Sequence, residues 1–206
     1  MPVAEAQSRL CKYSGATVSG SGPNHMCTTT AILPLTQTKA TVNTAIDAMA
    51  ATGYTNIPDG TMWGWRVLSP GEPFSEGRAY SDSDNKKILV IMTDGDNTYP
   101  HESNHNKSRY GAFGFASHGR LGATYTNTAY SAAMDTKLLA ACANAKAANV
   151  TIYTVGFRLE GNAAALTRLQ TCASGVSHAF SASSGAALIQ SFENIGRSIA
   201  KLRVAG

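Results

Sequence analysis

Charge is what this sequence has least of. Asp, Glu, Lys and Arg make up 15% of its 206 residues, and the net charge is only +4, with the basic residues scattered. No basic run alternates with aromatics, so nucleic-acid binding has little support. No apolar stretch approaches the roughly 20 residues of a membrane span. The opening residues, Met1-Pro-Val-Ala-Glu-Ala-Gln7, do not read as a secretory signal. Cys-x-x-Cys spacing is absent, which excludes the usual zinc and redox arrangements. Also missing are a Gly-x-Ser-x-Gly elbow, a Gly-rich phosphate loop and a His-Glu-x-x-His helix, the marks of common hydrolase and nucleotide sites. There is no internal repeat and no sign of a second domain. A chain of this length suits one domain, residues 1–206, large enough to bury a proper core.

The four cysteines that are present fall as two pairs. Cys11 and Cys27 bracket a Gly/Ser-rich loop within an irregular segment, residues 1–30. Cys142 and Cys172 lie in two predicted helices that flank one strand. The reading adopted is two disulfides, Cys11–Cys27 and Cys142–Cys172, which implies an oxidising compartment. Four inert thiols are the alternative.

The chain centres on Lys86-Lys-Ile-Leu-Val-Ile-Met-Thr-Asp-Gly-Asp96. An unbroken apolar run, Ile88 to Met92, reads as a strand buried on both faces, as in a parallel sheet. It stops at Asp94-Gly95-Asp96, a turn at the strand's carboxyl end, where open α/β sheets hold their ligands. Asp94 and Asp96 there are either functional carboxylates or turn formers. Upstream, Ala31 to Leu35 suggests an edge strand because of Pro34. Val42, Ala45, Ile46 and Met49 have helical spacing, and Gly53 ends that helix. A second helix begins near Pro58 and carries Met62, Trp63, Trp65, Val67 and Leu68 up to Ser69-Pro70. The two tryptophans, two apart, cannot share its face.

After the central strand, residues 99–130 form a long excursion, a kind of segment that is usually functional or mobile. Its His101, His105 and His118, with Glu102, are candidate ligands, although its Pro, Gly and Asn content favours solvated loop histidines. Met134 to Asn149 reads as a helix, Val150 to Phe157 as a strand and Ala163 to Ala173 as a short helix. Ser177 to Phe180 reads as a short strand. A last helix opens at Ser183 or Ser184, with Leu188, Phe192, Ile195, Ile199 and Leu202 as its buried stripe. Alternating strands and helices indicate an α/β fold with a parallel sheet. Thr55, in a turn before a helix, and Asp94 can then lie at one edge of that sheet. A hydroxyl and a carboxylate are hard oxygen ligands suited to a divalent cation.

This arrangement resembles the von Willebrand factor A domain. Its metal-ion-dependent adhesion site combines Asp-x-Ser-x-Ser, a distant Thr and an Asp in a Thr-Asp-Gly turn. Thr55 matches the Thr, in Gly53-Tyr-Thr-Asn-Ile57, and Asp94 matches the Asp, in Thr93-Asp-Gly95. The chain is most similar to the A domain of TadG-like proteins of tight-adherence (Flp) pilus assembly. That similarity rests on Ile32-Leu-Pro-Leu-Thr36, Thr55-Asn-Ile-Pro-Asp-Gly60, Trp63-Gly-Trp-Arg-Val-Leu-Ser-Pro70 and Lys87-Ile-Leu-Val-Ile-Met-Thr-Asp-Gly95. It continues through Val150-Thr-Ile-Tyr-Thr-Val-Gly-Phe157, Cys172-Ala-Ser174 and Ser198-Ile-Ala-Lys-Leu-Arg203.

The resemblance implies a Rossmann-like three-layer sandwich with a mostly parallel sheet. Asp-x-Ser-x-Ser occurs nowhere; the nearest string, Thr17-Val-Ser-Gly-Ser21, has Thr in place of the ligand Asp. The chain is therefore expected to lack the family's first strand, first helix and second strand, leaving one edge of the central strand open. The implied function is a non-enzymatic adhesion or assembly module that binds protein partners at the carboxyl edge of the sheet. It would work in the periplasm, cell envelope or outside the cell, with any membrane anchor upstream. Thr55 and Asp94 would be an incomplete site, with weak or no magnesium affinity. The alternatives are a metal-assisted hydrolase using Asp94, Asp96 and the histidine-rich loop, or a scaffold fragment with no active site.

Overall fold

The computed structural model describes residues 30–122 and 125–204, the last three of these by backbone only. The expected Cys11–Cys27 bridge and the Thr17–Ser21 string lie outside the described residues. Among the described residues there are five α-helices and a parallel sheet of three strands in the order β1-β2-β3. Strand β1 is Lys87–Thr93, β2 is Val150–Phe157 and β3 is Ala179–Ala182. β1 and β2 pair over their whole common length, Lys87 with Val150 through Thr93 with Gly156. β3 pairs only with the last four residues of β2. Upstream of β3, Ser174 takes over that edge, its Oγ accepting the Ile152 N–H and its own N–H donating to the Ile152 carbonyl.

Strand alternation sorts the core into two layers. Leu89, Ile91, Val150 and Ile152 face helices α2 (Ile57–Leu68), α3 (Asn127–Ala147) and α4 (Ala163–Cys172), meeting Ile57, Leu138, Cys142, Ala145 and Cys172. Tyr153 and Val155, with Ile88 and Val90, face α5 (Gly185–Val204) through Leu188, Ile195 and Ile199. The fold is α/β and Rossmann-like.

Local signals set most boundaries. The Asn56 side chain caps α2 by accepting the Asp59 N–H, and Pro58 occupies the first turn, where its missing N–H costs nothing. Trp65 packs on the core and donates its indole N–H to Tyr80 Oη, while Trp63 meets Phe74 edge-on beneath Arg66. Lys87 is buried at the start of β1. Its ammonium donates to the Leu68 carbonyl at 2.6 Å and the Arg78 carbonyl at 2.5 Å, closing the end of α2. Close packing at that corner explains Gly77: a β-carbon there would lie 2.4 Å from the Ser69 carbonyl oxygen.

Five expectations are corrected. Ala31–Leu35 forms no strand, and Ile32 and Leu35 are exposed. Helix α1 spans only Lys39–Asp47, ends well before Gly53, and buries no residue. Its apolar stripe has no cover among the described residues. α3 begins at Asn127, capped by Thr126, rather than at Met134. β3 is displaced to Ala179–Ala182 because Val176–His178 forms a turn of 3-10 helix. In α5, Ser191 is buried and Phe192 is 43% exposed, so the stripe passes beside that ring.

The 99–130 excursion carries its own small core. Tyr99, Ala116, Tyr130 and Met134 are buried together, with Phe113 and Leu121 against them. The Tyr99 and Tyr130 rings meet edge-to-face at 5.3 Å, and Tyr99 Oη donates to the Gly114 carbonyl. Tyr130 is 1% exposed, and its hydroxyl has no hydrogen-bond partner among the described residues. Burial, with Tyr125 and Tyr99 adding to it, pushes its pKa up. Tyr130→Phe is therefore expected to leave the fold intact and raise its stability by up to about 1 kcal/mol in urea unfolding. A loss of that size would mean that the hydroxyl is satisfied.

Candidate functional site

The carboxyl end of β1 is where the chain gathers its polar side chains. Thr93 makes the turn after the strand: its hydroxyl donates to the Gly95 carbonyl at 3.0 Å and accepts the Gly95 N–H. Asp94 is thereby relieved of turn formation. Its exposed carboxylate has no internal partner among the described residues.

The loop before α2 is stitched to this turn. The Thr55 N–H donates to Thr98 Oγ1 at 2.8 Å, and the Thr98 N–H donates to the Thr55 carbonyl at 2.9 Å. Thr55 and Thr93 line one groove of about 280 Å³, with Asn56 and Thr61 of the α2 region. The structure thus brings Thr55 and the Asp94 turn to the same rim of the sheet. The Thr55 hydroxyl also makes no internal hydrogen bond among the described residues.

Beneath that rim lies a network with no counterpart in the sequence reading. Asn97 is 1% exposed; its Oδ1 accepts the Ile57 N–H at 2.8 Å and its Nδ2 donates to Asp135 Oδ1 at 2.7 Å. Ser131 donates to the Asn97 carbonyl. Arg168, on α4, bridges Asp135 on α3 and Asp96 on the turn. The second Asp96 oxygen accepts from Asn162 Nδ2 at 2.5 Å, and Asn162 also caps α4. Asp96, a candidate for hydrolytic chemistry, is neutralised by Arg168 and held as a strut between the turn and α4. Both of its oxygens are engaged, one by Arg168 and one by Asn162. Nearby on α2, burial lifts the Asp59 pKa, with Arg66 partly offsetting it. A carboxyl whose folded pKa is raised takes stability away as pH climbs through that value.

The histidines of the excursion do not come together. The His101 N–H donates to Asn127 Oδ1, His118 stacks edge-on against Phe115, and His105 is exposed. Glu102 is paired with Arg109 at 2.6 Å and accepts from Asn104. Among the described residues, no three His, Cys, Asp or Glu side chains are grouped as a metal site would need. Magnesium takes about six oxygen ligands in octahedral array. Thr55 and Asp94 supply one hydroxyl and one carboxylate, so among the described residues this pair falls short of that array.

Cys142 and Cys172 are joined in a disulfide linking α3 to α4. No helix of the described residues is long and apolar enough to cross a membrane. No protein-family model matches the chain, and comparison with curated proteins gave no match.

Proposed function

We propose that this chain is a non-enzymatic adhesion or assembly module, an A-domain-like unit of a TadG-like pilus-assembly protein. It binds protein partners through the carboxyl edge of its sheet. The observation that carries this reading is the stitching of the Thr55 loop to Thr98, in the loop that follows β1. It puts an uncommitted hydroxyl and an uncommitted carboxylate on one rim, held by the Asn97–Asp135–Arg168 network below. The disulfide fits work in an oxidising compartment: the periplasm, the cell envelope or outside the cell. Family proteins carry a membrane anchor upstream of this unit.

The partner contact in this chain is direct, with no complete cation site behind it. Isothermal titration with magnesium chloride is expected to show no saturable heat, and tight binding would overturn the incomplete-site reading. The immobilised chain, offered detergent-solubilised envelope proteins of a piliated strain, is expected to capture a pilus-assembly protein. Asp94→Ala is expected to lose that capture. Equal capture by the variant, no capture at all, or a chelator-sensitive hydrolytic activity that Asp96→Asn removes would each count against the proposal.

A further inference from the structure

The two edges of the sheet are built differently. β3, at one edge, is four residues long, too short to template another chain. β1, at the other, runs seven residues, with no charge, proline or glycine between Ile88 and Met92. Among the described residues nothing pairs with its outer side, so alternate N–H and C=O groups there lack a ladder partner. Met92 is 46% exposed. Two grooves follow the strand, one of about 280 Å³ beside Leu89–Thr93 and one of about 550 Å³ beside Lys86–Ile88. This is the composition of an interior strand in an edge position.

We infer that the open edge of β1 pairs with β1 of a second copy of this chain, antiparallel about a two-fold axis at Val90. The strand reads as its own complement in that register. Lys86 meets Asp94 of the other copy, Ile88 meets Met92, and Val90 meets itself. On the opposite face Leu89 meets Ile91. Lys86 and Asp94 are both exposed and make no internal salt bridge among the described residues, so each dimer gains two opposite-charge pairs at its rims. Every residue meets one an even number of positions away. Whichever alternate set of backbone groups faces outward therefore meets the same set on the partner, and the ladder closes without a slip. Such an interface is isologous and stops at two copies. The inference shares Asp94 with the proposed adhesive role but is argued from the edge of β1, and its readout, the mass of the isolated chain, needs no adhesive partner.

Sedimentation velocity from low to high micromolar protein tests it, with Lys86→Glu, Asp94→Lys and the double variant alongside. Both positions are exposed, and circular dichroism checks that each variant folds. The wild type is expected to dimerise. Each single change, which turns both rim pairs into repulsions, is expected to weaken the dimer about tenfold or more. The double variant restores the opposite pairs and is expected to recover most of the affinity. A wild type that stays monomeric, forms open-ended oligomers, or dimerises indifferently to the charge swaps would overturn the assignment. Monomers of the wild type would point instead to a strand from elsewhere in the protein or from another partner.

Discussion

Replacing Cys142 and Cys172 together with alanine is expected to cost about 3–4 kcal/mol of stability, the largest loss expected of any change considered for this fold. The two cysteines are separated by 30 positions, and closing a loop of that size in the unfolded chain removes entropy of that order. For a domain of about this length, the loss corresponds to a fall in Tm of about 10 °C. Both sulfurs are in the core, 1% and 0% exposed, among Leu138, Ala145 and Ile152. The bridge also sits on the seam that supports the candidate site. Asp135 lies two turns before Cys142 on α3, and Arg168 lies one turn before Cys172 on α4. The bond that holds the helices together therefore steadies the ion pair above it. Urea unfolding of the wild type and the double variant under oxidising conditions measures the effect. Coincident transitions would mean that the bridge does not form or does not matter.

What could be read from the sequence was whatever is decided within a few residues. Pro58 and the Ser69-Pro70 stop bound α2 as expected, and the β-branched run Val150–Phe157 is a strand from end to end. α3 was read short because its first two turns are alanines and polar residues around a single large side chain, Tyr130. That ring is buried by Tyr99 and Met134, across the excursion, and local periodicity carries no trace of such a contact. Phe192 has the right spacing for the stripe of α5, yet the helix rests on β2 and β3 along Leu188, Ile195 and Ile199 and leaves the ring at the margin.

Nothing in the local sequence marks Lys87 for burial. It is buried because two carbonyls near the end of α2 receive its ammonium. The candidate site divides in the same way. The Thr-Asp-Gly turn and the Thr55 loop announce themselves by composition. Arg168 and Asp96 stand 72 positions apart, and no local pattern could pair them. The choice between Asp94 and Asp96 as the uncommitted carboxylate was settled by that distant arginine. The apolar run Ile88–Met92 was read as buried on both faces; Leu89 and Ile91 are buried, but on the other face Ile88 and Val90 are half-buried and Met92 is exposed. Side-chain pattern reports on faces and is silent on edges; the open flank of β1 was expected only through the resemblance and the missing Asp-x-Ser-x-Ser segment, and the strand order places β1 at the sheet's edge.

Asn97→Ala is expected to cost about 3 kcal/mol and to loosen the rim on which the proposed function rests. Asn97 uses both ends of its amide, and each end holds a different element. Its oxygen satisfies the N–H of Ile57, the first residue of α2, which is buried and would be left without a partner. An orphaned buried N–H costs about 1–3 kcal/mol. Its nitrogen supplies one of the two side-chain bonds to Asp135, the other being the ion pair with Arg168, and a hydrogen bond to a charged group contributes about 1.5–3 kcal/mol. These losses overlap, because Arg168 remains on Asp135 and bears part of the charge alone. Asn97→Asp keeps the shape and the oxygen for Ile57 but turns the other end into a second carboxylate against Asp135. Its defect should therefore shrink as the pH falls far enough to protonate one of the pair, since two close carboxylates cannot both stay ionised cheaply. The alanine variant should show no such recovery. Urea midpoints of both variants across the acid range separate the two losses. If Asn97→Ala proves neutral, or if the aspartate variant shows no recovery on acidification, the amide is not the latch between the β1 turn, α2 and α3. The Thr55–Asp94 rim would then have to be held by the Thr98 contacts alone.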